Sequence, residues 1–110
     1  MDSFVVKIFE IVPEQKNSLI EWGEYLESHK DEVVRTLDEE NMLVEGCSVF
    51  TEGGKEYCIV FGLSGTGGIK ETNLDREINV RHREVLKNSI IRPIKSEEVY
   101  FFRNTKLRDL

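Results

Sequence analysis

Apolar residues alternate at short period from near the start of the chain. In residues 3–12 (SFVVKIFEIV), Phe4, Val6 and Ile8 interleave with Val5, Lys7, Phe9 and Ile11. β-Branched and aromatic side chains dominate, which predicts a strand. Both of its faces are largely apolar, so something must cover each side. From Pro13 the period lengthens. Leu19, Trp22, Leu26, Val33 and Leu37 make one apolar stripe, with His29 on it, along a helical stretch that reaches about Asn41. Pro13 suits the start of that helix, where its missing N–H would have no intrahelical partner. The stretch is either one helix or two with a bend near Ser28–Lys30.

Residues 42–51 and 56–63 return to a strand pattern on either side of Gly53-Gly54, a pair that suits a two-residue hairpin because such turns need positive φ. With those glycines at the turn, Glu52 faces Lys55. One face then carries Met42, Val44, Phe50, Tyr57, Ile59, Phe61 and Leu63, and is the expected core face. The other carries Leu43, Glu45, Cys47, Val49, Glu56, Cys58, Val60 and Gly62. A Gly-rich connector, Ser64 to Gly68, leads to a second helix expected over about Lys70–Asn88, with Leu74, Ile78, Val85 and the Arg81/His82 pair along its inner edge. Asn88–Ser96, which holds Pro93, reads as a connector. Glu97–Asn104 (EEVYFFRN) reads as the fourth strand, ahead of a polar tail at 105–110.

The predicted order is β-α-β-β-α-β, an α+β ferredoxin-like sandwich of the split βαβ kind, with four antiparallel strands and both helices on one face. The opposite face would still have Val, Phe, Cys and Tyr side chains to bury, and pairing of two sheets into a dimeric α/β barrel is the expected solution. The 110 residues are the length of one such domain, with its core over about 3–104.

Charge narrows the partners. The chain carries 15 basic and 21 acidic residues, a net charge of -6, which speaks against nucleic acid or an anionic membrane as a partner. The imbalance is local: Pro13–Glu45 holds ten acidic residues against three basic ones, whereas Thr66–Leu110 holds seven against ten. No run approaches the ~20 apolar residues of a membrane span, and a cytoplasmic location is expected.

Candidate chemistry is sparse. The Gly62–Lys70 connector fails the phosphate-binding pattern, because Gly68 stands where lysine is required. Cys47 and Cys58 fall on adjacent strands as diagonal neighbours on one face, a placement that suits two free thiols better than a disulfide. They lack metal-ligand spacing, so no metal or other cofactor is expected. His82 lies at the inner edge of the second helix between Arg81 and Arg83, where an imidazole can act as acid or base near neutral pH. Glu45 is the matching carboxylate. Trp22 serves either as a core anchor or as a ligand platform.

Three stretches carry a resemblance: Ile20-Glu21-Trp22, Leu37-Asp38-Glu39-Glu40-Asn41-Met42-Leu43-Val44-Glu45, and Ile78-Asn79-Val80-Arg81-His82-Arg83-Glu84-Val85-Leu86. Over about residues 4–103 the chain resembles a family of small prokaryotic proteins with no assigned function, whose members look like ferredoxin-like domains of the dimeric α/β-barrel type. Where a typical member carries Asp before the His motif, this chain has Asn79, which weakens a carboxylate–His relay there. The wider group includes cofactor-free monooxygenases, isomerases, haem-binding enzymes and stress-related proteins, so the likeness implies a pocket and no particular reaction. The expectation is a homodimer that binds a small organic ligand near Trp22, Arg81 and Arg83 or serves a structural role. The alternatives are a cofactor-free monooxygenase- or isomerase-like enzyme, with His82 and Glu45 as the catalytic pair, and a protein-interaction adaptor.

Overall fold

The computed structural model describes residues 4–104. The polar tail expected at 105–110 lies outside the described residues. The chain runs β1 (Phe4–Ile11), a 3-10 turn (Pro13–Gln15), α1 (Lys16–Ser28), α2 (Lys30–Glu39), β2 (Met42–Glu52), β3 (Lys55–Ser64), α3 (Glu77–Ser89) and β4 (Ile90–Ile94). The strands form one antiparallel sheet in the order β2-β3-β1-β4. The α+β class and the four-stranded antiparallel sheet match the sequence reading, with the first helical passage divided in two.

Local chemistry sets most boundaries. Gly53 and Gly54 take φ of 57° and 78°, and Glu52 pairs with Lys55, as the hairpin predicts. The register places Cys47 opposite Val60 and Val49 opposite Cys58. α1 stops at His29, whose N–H still bonds the carbonyls of Tyr25 and Leu26 while its backbone leaves the helical region. α2 then restarts with Asp31 and Glu32 in its first turn, where carboxylates favour the exposed N–H groups. Asn41 closes α2 in the left-handed region at φ 58°. Its side-chain amide bonds the carbonyls of Thr66 (3.1 Å) and Gly68 (2.8 Å), and its carbonyl accepts from the Gly65 N–H. The Gly-rich connector is thereby tied to the end of α2.

Three expectations need correction. The core lies on the other face of the hairpin: Ile11, Leu19 and Cys58 form its buried centre, with Phe9, Val49, Val85 and Leu86 packed around them. Phe9 pairs with Cys58 and Cys58 with Val49, which puts all three on the face that α1 and α3 cover. The face taken for the core is instead open, with Phe4, Val6, Val44, Phe50 and Phe61 exposed on it. The fourth strand is Ile90–Ile94, not Glu97–Asn104. Pro93 is accommodated because β4 is a sheet edge, where one missing N–H is tolerated. The second helix begins at Glu77 rather than near Lys70. Asn73 forms a turn ahead of it, accepting from the Asp75 N–H on its side chain and from the Arg76 N–H on its carbonyl, and Leu74 is left exposed.

Candidate functional site

One face of α1 and the His29 that follows it place Trp22, Tyr25 and His29 one above another, at the three- and four-residue spacings of a helix face. Trp22 and Tyr25 stack with ring centroids 5.1 Å apart, and Tyr25 and His29 with centroids 4.0 Å apart. α3 packs beside α1 and brings two side chains to this row. The Trp22 indole Nε1–H donates to His82 Nδ1 at 2.8 Å. The Arg81 guanidinium lies over both the Trp22 ring (5.2 Å) and the Tyr25 ring (4.7 Å), a cation–π arrangement.

The indole can only donate, so His82 Nδ1 must be the unprotonated nitrogen. The neutral imidazole then carries its proton on Nε2. Burial pushes the His82 pKa below its ordinary value, while the Glu45 carboxylate pulls it upward. Glu45 stands on the helix-covered side of β2, opposite Gly62. Its charge also acts on Glu40, whose carboxyl is raised first by burial, then by Glu45 and then by Glu39. Glu39 is itself claimed by Arg76 through two bonds of 2.7 and 2.9 Å. That ion pair joins the acidic α2 to the basic half of the chain. The opposite charges noted in the sequence therefore meet inside one protein.

The structure thus brings Trp22, His82 and Arg81 together, with Glu45 in electrostatic reach. Arg83 is exposed on α3, and no bond or ion pair described in the structure ties it to the group. His29 turns its Nδ1 to the Tyr25 carbonyl (2.8 Å) and the Ser28 hydroxyl (2.9 Å), beside an open cleft of about 350 Å³ lined also by Lys30, Asp31, Glu32 and Arg35. Asn79 is buried and donates to the Asn73 carbonyl at 3.0 Å, which makes it a support for the turn before α3. Tyr25 escaped the sequence reading. Its position three residues after Trp22 and four before His29 is the signal that could have found it.

The two cysteines are free thiols. Burial first, and then the neighbouring Cys47, push the Cys58 pKa to about 11, and burial raises Cys47 as well. Neither is a thiolate near neutral pH, so neither is a ready nucleophile; Cys58 is packed in the core, whereas Cys47 is exposed on the sheet. Among the described residues, no group of three or more His, Cys, Asp and Glu is arranged to hold a metal, and no helix is long and apolar enough to cross a membrane.

Residues 2–106 match one family of sequences, DUF6176, described as a family of unknown function. The chain belongs to that family. No curated protein and no solved structure matches it at a significant level. Membership in DUF6176 therefore brings no activity with it, and any functional reading of this chain rests on its own residues.

Proposed function

We propose that this DUF6176 protein is a homodimeric domain that binds a small organic molecule carrying a carbonyl or carboxylate group at His82. One observation carries the reading: the 2.8 Å bond from Trp22 Nε1–H to His82 Nδ1, which leaves the Nε2–H as a fixed donor. A half-buried imidazole held neutral offers a hydrogen bond without the desolvation cost of a full charge. Arg81, spread over Trp22 and Tyr25, supplies positive charge beside that donor, and Glu45 supplies an acceptor for a hydroxyl or amine on the same ligand.

The same bond ranks the alternative. A cofactor-free enzyme would use His82 or Glu45 as the proton carrier. Nδ1 is already engaged by the indole and Nε2 already bears a proton, so His82 is a poor general base in this arrangement. Glu45 is the better placed of the two for that role, which makes its charge beside His82 the observation that favours this second reading.

A thermal-shift panel of small carboxylic, keto and hydroxy acids tests the proposal. Ligands that raise the Tm of the native chain and lose that effect in His82→Phe support it. Stabilisation that survives in His82→Phe, or no stabilisation across the panel, counts against it.

A further inference from the structure

The β2–β3 hairpin brings the two cysteines of the chain side by side. Cys47 pairs with Val60 and Val49 with Cys58, so the two thiols are diagonal neighbours on the helix-covered face. The right-handed twist of paired strands draws one diagonal of a face together and spreads the other. Here the drawn diagonal is the cysteine pair. The Cys58 S–H donates to the Cys47 sulfur, whose own S–H faces the Ser48 carbonyl at 4.0 Å.

The two sulfurs differ in access. β2 is the outer strand of the sheet, and Cys47 is exposed on it. Cys58 has no exposed surface and lies in the core, with Phe9 and Val49 packed around it. A reagent from solvent therefore meets Cys47 first and finds a second thiol beside it. Among the described residues, no third His, Cys, Asp or Glu joins them to hold a metal ion. An ion on two sulfurs alone would lose its water at this apolar wall without replacement ligands. A neutral centre that needs two sulfurs and nothing more has no such cost.

We infer that Cys47 and Cys58 form a two-thiol site for monosubstituted trivalent arsenicals, neutral electrophiles that condense with two sulfurs at once. The reagent arrives as R–As(OH)₂. Cys47 forms the first As–S bond and Cys58 the second, and each thiol proton leaves with one arsenic-bound hydroxyl as water. Two As–O and two S–H bonds break, two As–S and two O–H bonds form, and no oxidant or reductant is consumed. The closed product carries no charge, so it can lie against Phe9 and Val49 without the cost of burying one. Because the fold already holds the sulfurs together, the second bond forms at high effective concentration, which a lone thiol cannot offer.

Phenylarsine oxide, which hydrates to such a species, is the probe. One equivalent should mask both thiols of the native chain in a thiol count and add one phenylarsenic group by mass spectrometry. An excess of a dithiol should remove it, and the same excess of a monothiol should not. Cys47→Ser alters an exposed side chain and should keep the fold, as read by far-UV circular dichroism. It should hold the reagent at least about 100-fold more weakly, because only one bond remains. The urea-unfolded native chain, with its thiols no longer held together, should bind at least about 10-fold more weakly than the folded one. No uptake, one equivalent masking a single thiol, or native affinity in Cys47→Ser overturns the two-thiol site. Equal affinity in the folded and unfolded chain overturns the part assigned to the hairpin in building it.

Discussion

Trp22 and His82 lie sixty residues apart in sequence and are joined by a 2.8 Å hydrogen bond between α1 and α3. The bond does two things. It ties the two helices that cover the core, and it decides which imidazole nitrogen carries the proton.

Trp22→Phe keeps an aromatic ring and removes the donor. The His82 Nδ1 acceptor is then left half-buried without its partner, at a cost of about 1–3 kcal/mol in unfolding free energy. Chemical denaturation measures the loss. Long-range ¹H–¹⁵N spectra should show the single Nε2–H tautomer in the native protein and a mixture of tautomers in the variant.

Acid should weaken the native fold as the pH falls below the ordinary imidazole value of about 6.5. The folded pKa of His82 is depressed by burial, so the unfolded chain binds more protons in the interval between that value and the ordinary value of about 6.5. Stability is therefore fully present above pH ~6.5 and is lost as the pH falls through the folded pKa. His82→Gln should flatten this part of the profile, as read by urea midpoints from pH 7.5 downward. An unchanged slope would mean that His82 charges as easily folded as unfolded.

Glu45→Gln should move two other groups in the same direction. The Glu45 charge raises the pKa of both His82 and Glu40, so removing it lowers both. NMR titration of the His82 ring and the Glu40 carboxyl carbon reads the two shifts in one experiment. Movement of only one would separate Glu45 from the other.

Asn41 gives an ordered pair of variants. Asn41→Gly keeps the left-handed backbone and loses the bonds to Thr66 and Gly68, costing about 1–2 kcal/mol. Asn41→Ala loses the same bonds and adds about 1 kcal/mol or more for a Cβ at positive φ. Urea denaturation should therefore rank native above Asn41→Gly above Asn41→Ala.

Much of this fold is legible from pattern alone, and the exceptions have physical causes. Gly53-Gly54 encodes a hairpin register that holds from Glu52↔Lys55 to Cys47↔Val60. The core face is not legible from pattern because both faces of the hairpin are apolar, and the larger side chains lie on the face that stays open. Close approach of helices favours the smaller set, Cys58, Val60 and Gly62, and leaves Phe50 and Phe61 outside. β4 is hidden in the sequence because Pro93 argues against a strand unless the strand is known to be an edge, which sequence does not state. The site was half legible. His82, Trp22, Glu45 and Arg81 stand out by residue type, and topology alone brings them together. Tyr25 and the tautomer of His82 become visible only once α1 and α3 are side by side.

The placement of Trp22 has a practical consequence. It is the single tryptophan of the chain, so all tryptophan emission of the protein comes from a chromophore bonded to His82 and covered by Arg81. Protonating the imidazole breaks the bond to the indole, and displacing the guanidinium uncovers the ring, so either event changes the emission. The protein carries its own optical probe, and binding at the proposed site can be followed on the unlabelled, unmutated chain.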